Sequence, residues 1–155
     1  MASGGRSYNF LFDLFYIFIT MIFSTSSFNF VADPCVMYKK LSDANRISSY
    51  PTPLSGPVLC DDQLPEEWYR FVRAAGTKMP TIRVPAFRYG TDWSGWLDGA
   101  HPTVEDGGVP RKVCFSDRLS GCRYSNNIYV KNCGHYFIYK LMAPPACDTH
   151  YCGTD

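Results

Sequence analysis

The sequence predicts a mainly β fold: a small, disulfide-rich domain with antiparallel, sandwich-like strands and little helix. The chain has 155 residues, of which 46% are apolar, which is enough for one domain with its own core. Eleven prolines and twelve glycines favour many turns between short strands. Seven cysteines without a C-x-x-C pair are typical of a disulfide framework rather than of a zinc or thioredoxin motif.

The strongest strand signal lies near the end of the chain. Residues 128–133 and 135–141 are two runs rich in β-branched and aromatic residues that flank Gly134, a pattern typical of a hairpin. Because side chains alternate along a strand, Phe137 and Tyr139 share one face of the second run. Three cysteines stand in or beside this hairpin, so a bridge to any earlier cysteine would tie the rest of the chain to it.

Earlier segments predict shorter elements. Residues 68–73 alternate as a strand does, and residues 112–115 begin another strand that turns back before Cys122. Residues 44–59 contain three prolines and predict a loop. The acidic group that follows lacks the ligand pattern of a calcium loop, so we expect a solvated loop there. Its members are Asp61, Asp62, Glu66 and Glu67.

The first 27 residues have the order of a signal peptide. An apolar run over residues 10–23 follows a basic residue, is short for a membrane span, and is followed by small residues. We expect export with cleavage after Ser26 or Ser27, and the domain itself over residues 33–152. One acidic residue within the run weakens this interpretation, and a retained anchor and a buried core helix are the alternatives.

Two tryptophans, Trp93 and Trp96, stand in a glycine-rich stretch. Aromatic faces stack on sugar rings in many binding sites, which makes the pair candidate ligand-surface residues. Core packing is the alternative. His101 precedes a proline in a turn, where a hydrogen-bonding role is favoured over that of a metal ligand or a base.

Catalytic signatures are missing from the sequence. It has no G-x-S-x-G elbow, H-E-x-x-H motif, P-loop or G-x-G-x-x-G motif. His150 and Cys152 would share a strand face, but a thiol nucleophile also needs a lowered pKa and an oxyanion site. We therefore predict no enzyme activity, no cofactor and no metal. A net charge of +1 without a basic run argues against nucleic acid as a partner, and no membrane span is expected after signal cleavage.

Short motifs follow one another in a specific order from residue 33 to residue 152. They are Asp33-Pro34-Cys35, Cys60-Asp61, Trp68-Tyr69-Arg70-Phe71, Met79-Pro80, Val84-Pro85, Gly90-Thr91, Trp96-Leu97, His101-Pro102, Arg111-Lys112, Val130-Lys131, Pro144-Pro145 and Tyr151-Cys152. In this order they resemble the eight-cysteine module shared by uromodulin, the major zymogen-granule membrane glycoprotein of pancreas and a liver EGF/zona-pellucida protein. The resemblance implies a secreted, extracellular, non-catalytic module whose partner is a protein or a glycan. The alternatives are a secreted inhibitor or toxin-like protein and, after that, a secreted enzyme.

In that family the module belongs to a decoy region whose high-mannose N-glycan captures bacterial fimbrial adhesins. This chain has no N-x-[ST] sequon. Lys140-Leu141-Met142 and Asp98-Gly99-Ala100 stand where the resemblance places asparagine sequons. The resemblance thus implies the protein scaffold without its sugar attachment points.

The resemblance also implies a disulfide pairing, which six cysteines alone leave open among 15 connectivities. The implied bridges are Cys35–Cys133, Cys60–Cys147 and Cys114–Cys122. One family bridge loses both cysteines, at Arg83 and Gly121. Another loses one cysteine, at Tyr89, which leaves Cys152 unpaired.

Two states of the unpaired Cys152 stay open. A thiol so near the chain end is expected to be mobile, because termini fray, and it would then link two copies in a disulfide-bonded dimer. Alternatively, the thiol packs under Tyr89 as a small apolar group.

Overall fold

A computed structural model describes residues 32–52, 55–119 and 121–155. These residues are mainly β with little helix, as the sequence predicts. The strands are β1 (Lys39–Leu41), β2 (Glu67–Phe71), β3 (Trp93–Asp98), β4 (Gly108–Ser116), β5 (Tyr124–Asn132), β6 (Phe137–Leu141) and β7 (Thr149–Tyr151), and the 3₁₀ turns are Ala44–Arg46 and Arg73–Ala75. The predicted signal peptide lies outside the described residues. Within those residues, no helix has the length and apolar character needed to cross a membrane.

The strands form one curled sheet with the order β1-β2-β6-β5-β4-β3-β7. The five inner strands pair antiparallel, from β2 through β6, β5 and β4 to β3. The two edge strands join in parallel, β1 against β2 and β7 against β3. Parallel neighbours need a long connection, and long segments of chain do separate β1 from β2 and β3 from β7. The first and last described strands, β1 and β7, thus lie at opposite edges of the sheet.

The hairpin predicted around Gly134 consists of β5 and β6. Gly134 has a φ of +87°, a left-handed conformation that favours glycine at this turn. Tyr139 on β6 pairs directly with Tyr69 on β2, and both are buried. Phe71 shares the face of Tyr69 and meets the Tyr139 ring edge-on, at 5.6 Å between ring centres. The alternation predicted for residues 68–73 is therefore confirmed as far as Phe71, where β2 ends, and is wrong for Arg73, which begins a 3₁₀ turn.

The sequence does not predict β3, because a glycine occupies its centre. A Cβ on Gly95 would come within 2.9 Å of both the His150 carbonyl oxygen and the Phe115 ring. The bare backbone of Gly95 lets β7 approach in parallel, with Tyr151 opposite. A strand whose centre serves close backbone approach lacks the β-branched residues by which strands are recognised.

The main core draws on every strand of the sheet. Its buried members are Leu41, Tyr69, Phe71, Ala75, Met79, Leu97, Val113, Phe115, Ile128, Val130, Tyr139, Leu141 and Tyr151. A second, smaller cluster contains Val84, Tyr89 and Cys152, with Trp96 packed against it. Trp96 and Cys152 each neighbour a main-core residue in sequence, so alternation places the second cluster on the opposite face of the sheet.

The chain end after β7 is fixed to its neighbours. The N–H of Gly153 donates to the Arg46 carbonyl at 2.7 Å. Thr154 and Lys78 exchange two backbone hydrogen bonds of 2.7 and 3.1 Å. The expected mobility of this segment, and of the Cys152 thiol within it, is therefore wrong, because backbone hydrogen bonds hold the residues on both sides of the thiol.

Two disulfides are present among the described residues. Cys35–Cys133 joins the segment before β1 to the β5–β6 turn across 98 residues of sequence. Cys114–Cys122 closes the eight-residue step from β4 towards β5. In the loop-entropy model, the long bridge stabilises the fold by about 4.7 kcal/mol and the short one by about 2.5 kcal/mol.

Removing the long bridge should therefore destabilise the fold more than removing the short one. For Cys35→Ser/Cys133→Ser we expect a loss of roughly 4–5 kcal/mol, and for Cys114→Ser/Cys122→Ser roughly 2–3 kcal/mol. Urea unfolding followed by circular dichroism measures both. Equal losses, or a larger loss for the short bridge, would contradict the loop-entropy account.

Candidate binding surface

The segment before β1, residues 33–38, is fixed to the β5–β6 hairpin. The contacts are the Cys35–Cys133 disulfide, a Lys131–Asp33 ion pair of 3.1 Å and a hydrogen bond of 2.5 Å from the Tyr136 hydroxyl to the Cys35 carbonyl. The backbone N–H of Cys35 and the Lys131 ammonium both lower the pKa of Asp33, so its carboxylate is charged at neutral pH. We call residues 33–38 the clamped segment.

Arg70 on β2 fastens the end of the clamped segment to the sheet. Its guanidinium carbon lies 3.8 Å from the centre of the Tyr136 ring and 5.8 Å from that of Tyr38. Its Nη1 donates to the Tyr38 hydroxyl at 3.0 Å. Stacking of a half-buried guanidinium on aromatic rings is stabilising and directional. The clamped segment is therefore held at both of its ends.

An open depression of about 590 Å³ lies beside the clamped segment. It is lined by Val36, Met37, Tyr38, Lys39, Glu66, Glu67, Trp68 and Lys140, and we call this set the edge surface. Val36 and Met37 are 77% and 62% exposed. Large apolar side chains that stay in water on a rigid segment are typical of interaction sites.

Charged residues surround the apolar part of the edge surface in matched pairs. Lys39 pairs with Glu67 at 2.9 Å, and Lys140 pairs with Glu66 at 2.7 Å. Exposed pairs of this kind contribute little stability. Their effect is to leave the rim polar and without net charge, as in many binding surfaces with an apolar centre.

The structure separates the two tryptophans that the sequence offered as ligand-surface residues. Trp93 packs against the main core and lies 5.1 Å from the Tyr124 ring, centre to centre. Trp96 packs against the second cluster, and its indole N–H donates to the Ser116 hydroxyl at 2.9 Å. Residues three apart on a strand face opposite sides of a sheet, so Trp93 and Trp96 cannot form one stacking platform.

Cys60 and Cys147 are unbonded in the structure, unlike the bridge that the resemblance implies. Their sulfur atoms nevertheless lie within 4.8 Å of each other and of a carboxylate oxygen of Asp62, an arrangement that could hold a metal ion. Burial raises the pKa of Cys60 to about 11, so its thiol is protonated at neutral pH and is a poor nucleophile. The Cys60–Cys147 bridge stays a prediction, which this proximity permits.

Cys152 is fully buried beside Tyr89, as in the second of the two states that the sequence left open. Its thiol donates to the His150 carbonyl at 3.3 Å, and burial raises its pKa. Burial also raises the pKa of Tyr89 to about 12. A disulfide to a second chain would require the C-terminal segment to leave the sheet, and the dimer stays a prediction.

Asp61 is buried, so the expectation of a solvated loop is wrong for this residue. Its carboxylate accepts two hydrogen bonds from Arg46, at 2.6 and 2.9 Å, and one from the Tyr151 N–H at 2.8 Å. Burial alone would raise the pKa of Asp61. The hydrogen bonds from Arg46 and Tyr151, together with the positive charge of Arg46, outweigh this effect and hold the pKa below its ordinary value. Three distant parts of the chain therefore meet at one carboxylate.

Two histidines are neutral at neutral pH and serve the fold. Burial lowers the pKa of His150 to about 4, despite Asp61 at 3.7 Å, and its Nδ1 lies 3.2 Å from a backbone carbonyl. Burial and two nearby cations lower the pKa of His101 to about 4. The Tyr139 hydroxyl accepts the Met79 N–H at 2.9 Å, and its own proton is left to donate to the neutral His101 ring, whose Nε2 lies 2.8 Å away. That bond requires an unprotonated Nε2.

The sequence alone does not identify the edge surface. It places Trp68 on a strand, opposite in alternation to Tyr69 and Phe71, which is the only signal that this side chain points away from the core. The exposure of Val36 and Met37 depends on β1 lying at a sheet edge, and strand order cannot be read from the pattern of one strand.

Comparison with known proteins gives a consistent match. Residues 69–153 match the family model of the uromodulin-like domain. Uromodulin of Mus musculus is 40% identical over 123 residues, which cover 77% of this chain and 18% of that protein. The pancreatic secretory granule membrane major glycoprotein GP2 of Mus musculus is 38% identical over 124 residues, which cover 77% of this chain and 23% of that protein. The chain thus spans about a fifth of the length of these relatives.

Removing the charge of Asp61 should strongly destabilise the domain. In Asp61→Asn the Arg46 guanidinium loses its counter-ion while it stays buried, and breaking such a pair costs about 3–5 kcal/mol. Asp62→Asn is the matched control, because Asp62 is exposed and its change should stay within about 0.5 kcal/mol. Urea unfolding measures both variants, and similar losses would show that Asp61 is not the stabilising group.

Acid should destabilise the fold through the half-buried His101 and the buried His150. Each has a folded pKa of about 4 against an ordinary 6.5, so the unfolded chain binds more protons between these values. Stability should be complete above pH 6.5 and fall steadily towards pH 4. His101→Gln keeps an acceptor for Tyr139 and should give a shallower pH dependence, whereas His135→Gln, at an exposed turn, should follow the wild-type curve. Urea midpoints measured across this range decide the matter, and a flat wild-type curve would contradict the assignment.

Proposed function

Because the chain belongs to the uromodulin-like domain family, we propose that it is a secreted, extracellular binding module without catalytic activity. The observation that supports this most directly is the edge surface, where a rigid segment exposes large apolar side chains above an open depression. The buried titratable groups support the same conclusion. Asp61, His101 and His150 are committed to hydrogen bonds that hold the fold together.

The edge surface suits an extracellular protein or a glycan that carries little charge. Tyr38 and Trp68 offer aromatic faces, and Val36 and Met37 offer aliphatic contacts. Each charged residue of the rim has a partner of opposite sign, so a strongly charged ligand would gain nothing there. The clamped segment is fixed before binding, which reduces the conformational entropy that a ligand must overcome.

Screening the secreted protein against arrays of extracellular proteins and glycans tests this function. We expect a ligand whose affinity falls at least about tenfold, or 1.4 kcal/mol, in Val36→Ser/Met37→Ser, because that variant removes the exposed apolar contacts. Val104→Ser is the matched control, since Val104 is 52% exposed on a different loop, and it should bind as wild type does. No ligand on either array, or equal binding by the two variants, would contradict the proposal.

The module should not capture mannose-specific fimbrial adhesins. That activity depends on a high-mannose N-glycan in the family that the sequence resembles, and this chain has no sequon to carry one. Surface plasmon resonance with such an adhesin, on protein made in a glycosylating host, should show no binding. Binding that mannose competes away would overturn the prediction.

A further inference from the structure

A second surface forms where the loop before β3 meets the step from β4 to β5. Arg83 donates from Nη2 to the Asp117 carbonyl at 3.3 Å. Its guanidinium rests against Gly121, where a Cβ would stand 3.1 Å from Cζ. The guanidinium carbon of Arg118 lies 4.3 Å from the centre of the Phe87 ring. The two loops therefore meet through two arginine side chains: Arg83 contacts backbone, and Arg118 stacks on an aromatic ring.

This surface carries an excess of positive charge. Arg83 and Arg118 are exposed, and neither has a carboxylate within ion-pair distance in the ranges that the structure describes. The charge of Arg118 does reach Asp92, where it opposes the rise in pKa that burial and Asp148 cause. Arg123 stands nearby, and its Nη1 lies 3.8 Å from an Asp117 carboxylate oxygen, which is a long distance for an ion pair. Two guanidinium groups are thus left to bind an anion. A guanidinium binds a carboxylate through two parallel hydrogen bonds.

Exposed aliphatic side chains stand next to both arginines. Ile82 is 80% exposed and Leu119 is 93% exposed. The Asp117 carboxylate accepts the Leu119 N–H at 3.1 Å, which fixes the turn that presents this leucine. Aliphatic side chains have no flat face on which a sugar ring could stack, whereas they pack well against apolar protein side chains. The one aromatic ring of this surface, Phe87, is already covered on one face by Arg118. The mixture of arginine and aliphatic residues therefore favours a protein over an anionic glycan.

The backbone around Phe87 adopts a conformation that is uncommon for residues other than glycine. Phe87 and Tyr89 have φ values of +60° and +59°, in the left-handed region that non-glycine residues rarely adopt. Such a residue persists only where the surrounding structure holds it. The Phe87 N–H donates to the Asp92 carbonyl at 3.0 Å, and the Tyr89 side chain is buried in the second cluster. Phe87, on whose ring Arg118 stacks, is 39% exposed.

We propose that Ile82, Arg83, Phe87, Arg118 and Leu119 form a docking site for an acidic segment of an extracellular protein, in which carboxylates neighbour an apolar residue. The carboxylates bind Arg83 and Arg118, and the apolar residue packs against Ile82 or Leu119. Both guanidinium groups are oriented before binding, so little side-chain entropy is lost when the segment docks. We call these five residues the arginine surface, which is separate from the edge surface.

Selection of a displayed library of random peptides on the oxidised, folded protein tests this site. We expect enriched peptides that combine Asp or Glu with apolar residues and whose affinity weakens as salt is raised. Arg83→Glu/Arg118→Glu should lower their affinity at least about tenfold, or 1.4 kcal/mol. Lys40→Glu makes the same kind of charge reversal at an exposed position on β1 and should bind as wild type does.

Three results would overturn the proposal. The first is a selection that enriches no acidic peptide, and the second is peptide binding that survives both the double charge reversal and Ile82→Ser/Leu119→Ser. The third is a sulfated oligosaccharide that binds through Arg83 and Arg118 while acidic peptides do not, which would assign the surface to a glycan. Unchanged circular dichroism and melting verify each variant's fold. If the charge reversal alters either, Arg83→Gln/Arg118→Gln replaces it and must show the same loss.

Discussion

Asp61 takes the place of a neighbouring strand along the outer edge of β7. Its backbone N–H donates to the Thr149 carbonyl at 3.0 Å, and its side chain accepts the Tyr151 N–H at 2.8 Å, so one residue satisfies the open edge of β7. A buried charge is tolerated only when it is paired, and Arg46 supplies both the counter-charge and a further bond to the Tyr151 carbonyl at 3.0 Å. The loop after β1, the approach to β2 and the last strand are therefore interdependent, and the second cluster behind β7 depends on all three.

The two sheet edges meet different requirements. At β7 the edge is closed by side chains and by the chain end, which protects it from pairing with another protein. At β1 the exposed Lys39 and Lys40 discourage strand addition, and the preceding segment is held by a disulfide and by stacking on Arg70. Binding residues on loops that a rigid sheet positions are a common arrangement. The arginine surface follows it, on the loop before β3 and on the step from β4 to β5, and the exposed apolar residues of the edge surface lie on the segment before β1.

The sequence predicts what depends on local pattern. The hairpin of β5 and β6 and the alternation of β2 follow from runs of β-branched and aromatic residues, whose preference for strands is strong. The sequence does not predict β3, because Gly95 serves the approach of β7, an element more than 50 residues later in the chain. It also misplaces Asp61, since an acidic residue beside Asp62 looks solvated until Arg46 and Tyr151 are known to meet it. The edge surface depends on strand order, a property of the whole sheet.

The burial of Cys152 makes it an internal reporter on the fold. A thiol that has no accessible surface and a raised pKa reacts with an alkylating reagent only after β7 separates from β3, whereas the exposed Cys147, if reduced, reacts without such opening. The labelling rate of Cys152 thus equals the rate at which the last strand opens whenever labelling outpaces reclosing. The chain therefore carries its own probe for the opening of its C-terminal edge, with no added dye or engineered residue.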